Sequence, residues 1–578
     1  MIRVKRNVDK KDVIRHLETI AIYMELKGEN PFKIQAFRKA ARTIELDERT
    51  IEDIEDFTSL SGIGKGTGAI IQEFIENGNT DVLKSLKEEV PRGLIPLLQI
   101  PGLGGKTIAR LYQELGITNV NELKKACEDG SVSGLKGFGK KKEEKILAEI
   151  ENLGSRPDRY ALADMLPIVN WIEEQLTQFE GIEKYSRAGS VRRVRETVKD
   201  LDFIIATNHV HKVKKQLTQL PNIKEITNDG DTKVSIVFTF DVDVSADFRL
   251  VLPEQFATTL HHFTGSKDHN VRMRQIAKER NEKISEYGVE QLGSGEVLTF
   301  QSEEQFYRHF HLPWIPPEVR IDGTEIDRVD ELDKLIATDD IRGDLHMHTT
   351  WSDGAHSIEE MIEACRRKGY EYMAITDHSQ NLRVANGLTP DRLKKQIDII
   401  RELNEKYDDI TILAGSEMDI LPDGTLDFSD DILAELDFVI ASIHTAFGQS
   451  QELIMKRLEA ACRNPYVHMI AHPTGRKIGA RDGYNVDVER LLQLAKETNT
   501  ILELNANPRR LDLRTDFLIQ AQKAGVHLMI NTDSHQSMTL SYMEIGVKYA
   551  RKAWIYKNTI VNTMTKDELF TCLSKKRA

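Results

Sequence analysis

The 578-residue chain reads as a multidomain protein, with helical modules first, an α+β section in the middle and an α/β barrel at the end. Three observations carry that reading. A pattern of apolar residue, any residue, Gly, apolar residue, Gly recurs three times before residue 142. A Gly-Ser turn leads into the strand-like run Asp200-Leu-Asp202-Phe-Ile-Ile. After residue 340, short apolar runs alternate with amphipathic stretches, and each run is followed closely by a His, Asp or Glu. The length leaves room for about four domains at the usual 100–200 residues each.

Composition narrows the class before any motif is used. A 40% apolar content is ordinary for a globular chain, and a net charge of −13 argues against wholesale coating of nucleic acid, so any such contact is local. Cys127, Cys365, Cys462 and Cys572 form no paired framework, which suits a reducing compartment. No apolar run approaches the ~20 residues that span a membrane, and the opening Met-Ile-Arg-Val-Lys-Arg lacks the apolar core of a signal peptide. A soluble cytoplasmic protein is expected.

The repeated loops come first. Leu60-Ser-Gly62-Ile-Gly64-Lys65-Gly66, Ile100-Pro-Gly102-Leu-Gly104-Gly-Lys106 and Leu135-Lys-Gly137-Phe-Gly139-Lys140 share one form, each opening a helix-like stretch. Glycine permits the tight turn that presents consecutive backbone N–H groups at a helix N-terminus, where a phosphate is favoured. Lys65, Lys106 and Lys140 add charge without reading a base. One such loop alone reads equally well as a plain helix–helix turn. The triple occurrence resembles the helix-hairpin-helix modules that grip a DNA backbone, and amphipathic stretches at Val13–Lys27 and Phe32–Thr43 fit two such helical domains, 1–85 and 86–155.

In the middle section, period-two geometry places Asp200 and Asp202 on one face of a strand. Carboxylates so close repel and call for a cation, and Mg²⁺ with nucleotide phosphates is the natural guest. Asp247, flanked by apolar residues in Ser245-Ala-Asp247-Phe-Arg-Leu-Val251, is the candidate third carboxylate, ahead of Asp241 and Asp243 beside the expected hairpin turn. An Asp-x-Asp pair by itself is more often a solvated strand end. With Gly189-Ser190 before it and His262-Phe263-Thr264-Gly265-Ser266 after it, the section resembles the nucleotidyltransferase palm and thumb of X-family DNA polymerases. That resemblance implies a palm over 156–252, a thumb over 253–318 and a connection over 319–338. It implies that Gly189, Ser190 and Arg193 hold an incoming triphosphate, with Arg192 and Arg195 nearby, and that Asp200, Asp202 and Asp247 bind Mg²⁺ or Mn²⁺. Phe263 and Gly265 would pack on the nucleotide sugar and base, Asn270 would reach the base edge and Arg274 the template strand. His262 stands where the family carries Tyr, which bears on sugar discrimination.

The last section is the densest in chemistry. Met373-Ala-Ile375, Thr411-Ile-Leu413, Phe438-Val-Ile440, Met469-Ile-Ala471 and His527-Leu-Met-Ile530 read as buried strands, separated by helical patterns such as Ser357–Lys368, Pro390–Tyr407 and Val486–Thr498. Alternating strand and helix predicts parallel βα units closing into a barrel, whose chemistry gathers at the C-terminal strand ends. His346, His348, Asp353, His378, Glu417, His444, His472, Asp533 and His535 all sit there. A lone His is more often structural than a ligand, and His356, His468 and His527 are read so; Asp377 is read as a support for its neighbour. Nine groups in register predict a metal centre. Imidazole and carboxylate without thiolate suit Zn²⁺, Mn²⁺ or Fe, in two or three ions.

Gly343-Asp-Leu-His-Met-His348, Trp351-Ser-Asp353-Gly, Ile375-Thr-Asp-His378, Ala471-His472-Pro and Asn531-Thr-Asp-Ser-His535 make this section resemble the PHP family of metal-dependent phosphoesterases, over residues 339–578. The distorted (βα) barrel of that family is implied, with Mn²⁺ or Zn²⁺ as its ions. Taken whole, the chain is similar to bacterial X-family polymerases carrying a C-terminal PHP domain. The likeness implies gap filling on gapped or primed double-stranded DNA with dNTPs, 3′–5′ exonuclease and AP endonuclease action by the barrel, a role in base-excision repair, and a monomer. A small-molecule phosphatase barrel, or a non-catalytic DNA-bridging protein, are the readings it competes with. Relatives that act as lyases carry a Lys where Ile70 stands here and another at Gly66, while Lys33 and Lys65 remain, so lyase action by the usual nucleophile is not expected.

Overall fold

The computed structural model describes residues 10–47, 49, 51, 54–100, 103–151 and 159–576. They fall into two compact units, 1–158 and 159–578. In the first, α1 (Lys10–Lys27), α2 (Pro31–Leu46), α3 (Lys65–Asn77) and α4 (Asp81–Glu89) enclose a core that includes Leu17, Ile20, Ile34, Ala40 and Ile71. Asn30 starts α2 by accepting the Phe32 N–H, and Gly78, at φ +70°, ends α3 in the left-handed region that disfavours other residues. A second core around Leu94, Ile108, Leu123 and Phe138 is wrapped by α5 (Gly105–Leu115), α6 (Val120–Glu128) and α7 (Lys140–Glu151).

The second unit opens with β1 (Tyr160–Ala161), α8 (Leu162–Thr177), β2 (Lys184–Arg187), the short α9 (Gly189–Arg192) and β3 (Thr197–Val198), which pairs with β1. β4 (Leu201–Ala206), α10 (Val210–Leu217), β5 (Ile223–Asp229), β6 (Lys233–Thr239) and β7 (Asp243–Val251) complete a mixed sheet in the order β2-β4-β7-β6-β5. Only β4 and β7 run parallel in it, and their register sets Asp202 beside Asp247. Asp200 falls just before β4 rather than inside it. Behind this sheet come α11 (Phe256–Thr264), α12 (Lys267–Glu279) and a small antiparallel sheet of β8 (Glu282–Ile284), β9 (Val289–Gln291) and β10 (Val297–Leu298). Residues 319–338, expected as a connection, form packed 3-10 turns. Val319, Ile326 and Leu335 are buried with Met273, Phe306 and Tyr307, and buried Glu325 accepts from His269 Nδ1 at 2.6 Å.

The barrel is seven parallel strands in sequential order: β11 (Gly343–Asp344), β12 (Tyr372–Ile375), β13 (Thr411–Asp419), β14 (Phe438–Ser442), β15 (Met469–Ile470), β16 (Ile501–Asn505) and β17 (Leu528–Asn531). Strands covered on both faces read as continuous apolar runs, and β12, β14 and β17 are buried throughout. The first and last strands meet beyond their ends, where His348 N donates to Ser534 O at 2.8 Å and Ser534 N to His346 O at 3.3 Å. The seam nearly closes the barrel. Its outer helices begin at capping residues, for instance Ser357, whose side chain accepts from Glu360 N while the Glu360 carboxylate takes Ser357 N.

Candidate active sites and nucleic-acid contacts

All nine ligand candidates of the barrel converge. Glu417, near the end of β13, lies at the middle: its Oε2 is 3.4, 3.5 and 3.0 Å from His346 Nε2, His348 Nε2 and His378 Nδ1. Its Oε1 is 3.3 Å from His444 Nε2 and 2.9 Å from His472 Nε2. Asp533 Oδ1 lies 3.4 Å from His346 and 3.2 Å from His348. Asp353 Oδ1 is 3.6 Å from His378 and 3.4 Å from His535 at the exposed rim. Three sets of ligand atoms, each mutually within 4.8 Å, result: His348, Asp353, His378 and His535; His346, His348, Glu417 and Asp533; and His378, Glu417 and His444. His472 and Asp533 hold positive φ of 30° and 53°, a strained backbone of the kind concentrated at functional sites.

The donors fit cations. His346 Nε2, both nitrogens of His348, His378 Nδ1 and His472 Nδ1 are buried and have no hydrogen-bond partner among the protein atoms, a costly state unless something else fills it. The charges are strongly coupled. Burial opposes a charge on His346, but the carboxylates of Glu503, Asp533 and Glu417 outweigh it and raise its pKa. Burial and then His378 and His535 push His348 down to about 3. Against burial, Glu417 and Asp419 lift His444 to about 9.

Two supports escape the sequence reading. Glu503 on β16 accepts from His346 Nδ1 at 2.7 Å and from His472 N at 2.7 Å, and Asp419 Oδ1 pairs with His444 Nδ1 at 2.6 Å. Such carboxylates set ring orientation and leave the far nitrogen for a ligand. Asp377 accepts from Thr349 N and Oγ1 at 2.8 and 2.6 Å, bracing the loop that carries Asp353. His356 and His468 take backbone N–H groups of Ser537 and Val439, away from the cluster.

The palm carboxylates are arranged differently. Asp202 and Asp247 are register partners across β4 and β7. Burial, followed by the Asp200 and Asp247 charges, pushes Asp202 up to about 7. Lys233 Nζ sits 2.6 Å from Asp247 Oδ2, and among the described residues it is only in the barrel that three or more ligand atoms close to within 4.8 Å. Gly189 is at φ +56°, and a Cβ there would overlap Asp202 Oδ2, so a larger residue would be strained and would displace that carboxylate. Arg192 bonds Thr264 Oγ1 at 2.7 Å and Glu303 at 2.6 Å, whereas Arg193 donates to the Thr264 carbonyl and faces Asp202. Ser190 follows Gly189 in α9. Gly265, at φ +66°, caps α11 against Arg193. Phe263 carries the Arg249 guanidinium at 4.4 Å, and His262 lies 3.9 Å from Glu286. Asn270 Nδ2 holds the His262 carbonyl at 2.7 Å, leaving its buried Oδ1 without a partner; Arg274 stands one turn later on α12. Asp243 is held by Lys224 at 2.5 Å.

Palm and barrel touch through charge. Glu196, between α9 and β4, accepts from Arg476 Nη2 at 3.0 Å and from the Tyr549 hydroxyl, and Arg476 also donates to the Leu511 carbonyl. Asp164 of α8 pairs with Arg509 at 2.6 Å.

In the first unit, Gly62 and Gly137 take φ of +103° and +88°, and Gly64 and Gly104 start α3 and α5 without a side-chain cap. Nothing lies within 4 Å of a Cβ built at Gly64, Gly104 or Gly139, and Lys65, Lys106 and Lys140 are exposed, while Ile63, Leu103 and Phe138 anchor the turns in the core. Gly102 lies outside the described residues.

Family models match in the same places: a helix-hairpin-helix domain at residues 8–80, a SAM-like helix-hairpin-helix tandem at 94–152, a DNA polymerase beta thumb at 259–321 and a PHP domain at 344–507. Over 553 residues, 96% of this chain and 97% of the relative, the sequence is 59% identical to "DNA polymerase/3'-5' exonuclease PolX" of Bacillus subtilis (strain 168). A "Probable phosphatase" of Thermoanaerobacter sp. (strain X514) is 32% identical over 231 residues, 38% of this chain and 89% of the relative. One of Clostridium acetobutylicum is 28% identical over 230 residues, again 38% of this chain and 89% of the relative. No helix among the described residues is long and apolar enough to cross a membrane.

Proposed function

We propose, from the premise that this chain belongs to the PolX family of DNA polymerase/3′–5′ exonucleases, that it fills short DNA gaps at the palm and trims 3′ ends at the barrel. The observation that carries the reading is the presence in one chain of both sets of groups, the Asp200, Asp202 and Asp247 triad and the nine-residue barrel cluster. Divalent ions, Mg²⁺ or Mn²⁺ at the palm and Mn²⁺ or Zn²⁺ at the barrel, would supply charge neutralisation at phosphate oxygens and, at the barrel, a water of lowered pKa.

The protein's own groups do the positioning. Gly189 keeps the turn clear of the Asp202 carboxylate so that the backbone there, Ser190 and Arg193 can receive a triphosphate. Phe263, Gly265 and His262 form the sugar and base side of that site, with Asn270 and Arg274 behind them. In the barrel, Glu503 and Asp419 hold His346 and His444 by Nδ1 and turn Nε2 inward. The exposed turns at Gly64, Gly104 and Gly139, with Lys65, Lys106 and Lys140, take the DNA backbone at helix N-termini. Gapped or primed duplex DNA and dNTPs are the substrates, and base-excision repair, including incision at base-free sites, is the setting; the chain acts as a cytoplasmic monomer. The domain limits 1–85, 86–155, 156–252, 253–318 and 339–578 are part of this proposal.

The test is primer extension and primer degradation by the full chain with Mg²⁺, Mn²⁺ and Zn²⁺ compared. Extension and 3′ trimming, each requiring added divalent ion, are expected. The likeness of the barrel to proteins called probable phosphatases favours one second reading, a small-molecule phosphomonoesterase barrel. Turnover of phosphate monoesters with no attack on DNA ends would establish that reading instead.

A further inference from the structure

Resting on the DNA-end reading above, we propose that the mouth of the barrel site is a nucleotide subsite, with a cationic wall for backbone phosphate and an apolar wall for the terminal base. A cavity of 330 Å³ opens over the ligand cluster. Beside the ligand candidates, its lining includes Lys477 and Arg510 from the segments after β15 and β16, and Leu382, Val384 and Ala385 from the segment after β12.

Two cations of the cationic wall, Lys477 and Arg481, are in no ion pair among the described residues. Arg510 shares Asp533 at 3.2 Å and Arg509 is taken by Asp164 at 2.6 Å. Arg481, the neighbour of Lys477, spends its guanidinium on the Gly475 carbonyl and the Phe447 ring. Burial first, and then the adjacent Arg510 and Arg481 charges, lower the Lys477 pKa. A polyanion offers such cations a partner.

The apolar wall is fixed beside the ligands. Val384 is 96% exposed at the tip of the turn Arg383–Ala385, next to Ala385, which is buried. The turn is fastened on both sides: Asn386 Nδ2 donates to the Trp351 carbonyl at 3.1 Å, Arg392 Nη1 to the Asn386 carbonyl at 2.9 Å, and Leu388 N to the carbonyl of the ligand candidate His378 at 2.7 Å. One exposed Val on a surface is unremarkable. At the rim of this cavity it faces incoming substrate, and apolar side chains pack against the faces of unstacked bases. A small phosphate ester needs the cations alone; a nucleotide uses both walls.

The experiment compares a single-stranded oligothymidylate having a 3′ hydroxyl with bis(p-nitrophenyl) phosphate, a diester that has no base, on the full chain with Mn²⁺. Val384→Ser should lower the ratio of oligonucleotide to small-diester kcat/KM by about tenfold through KM, the scale of one lost Val-sized contact, and Val384→Phe should restore it. Lys477→Ala should reduce the slope of log binding against log salt by about one. Equal effects of Val384→Ser on both substrates, no effect on either, or an unchanged salt slope in Lys477→Ala would overturn the subsite. Wild-type chain that hydrolyses the diester but not the oligonucleotide would instead remove the DNA-end premise, and the subsite with it.

Discussion

In the barrel, nine ligand candidates arrive from six strand ends, with Glu503 and Asp419 holding the rings of His346 and His444, whereas the palm sets three acids on and beside two adjacent strands, with Lys233 of the neighbouring β6 paired to Asp247. The difference is one of preorganisation. In the barrel, carboxylates are interleaved with imidazoles and offset part of the crowding, although five buried ring nitrogens have no partner among the protein atoms. Three carboxylates repel, and of these palm acids only Asp247 is paired to a cation, Lys233, among the described residues.

Separate alterations break the comparison most directly. Asp202→Ala should lower primer extension by roughly 10²–10³-fold, the scale of losing a preorganised charge partner, and leave 3′ degradation intact; His346→Ala should do the reverse. Loss of both activities from either variant would show that the sites are not separable. Gly189→Ala forces a Cβ onto Asp202, and we expect roughly 10²-fold slower nucleotide addition, as for a misplacement on the order of 1 Å. Wild-type kinetics in that variant would dismiss the close approach as unimportant.

Glu503→Gln sharpens the comparison, because it touches bracing alone. Mn²⁺ titration of the nuclease should show about 10–100-fold weaker metal affinity, while the metal curve for polymerisation stays put; an unmoved nuclease curve would mean that His346 needs no brace. The smallest effect concerns the join behind the palm, where Glu303 bridges Arg192 and Arg320 and receives Trp314 Nε1. Burial opposes its charge, yet the two arginines hold Glu303 down to about 2 against an ordinary 4.5. A depressed folded pKa contributes stability that is complete above pH 4.5 and is lost as the pH falls through about 2. The stability advantage of the wild type over Glu303→Gln, read by tryptophan fluorescence, should therefore shrink across that window. A constant difference would deny the linkage.

The barrel was legible because its ligand candidates interrupt apolar runs at strand ends, where a polar residue has no packing reason to be. Glu503 was not, since Ile501-Leu-Glu-Leu-Asn505 shows one acid inside a short strand, and only the closed barrel reveals that it points at His346. Asp419, in the same strand as Glu417, was hidden for the same reason. In the palm, the pairing of Asp202 with Asp247 was accessible in outline, but the parallel register that makes them neighbours comes from a long-range crossover that period-two patterning cannot supply. The packed turns of 319–338 read as a connection in the sequence because acidic residues crowd them and Pro313, Pro316 and Pro317 come just before, and their apolar side chains acquire meaning only against Met273 and Phe306.

The Glu196, Arg476 and Tyr549 contact gives the chain an unexpected economy. The loops that wall the hydrolytic cavity are buttressed by acids belonging to the synthetic half, so severing the two would strand Arg476 and Arg509 without counter-charges. Substitutions of Glu196 or Asp164 themselves should thus be felt across the join, and at these contacts the two halves are constrained to drift together rather than as independent beads on a string.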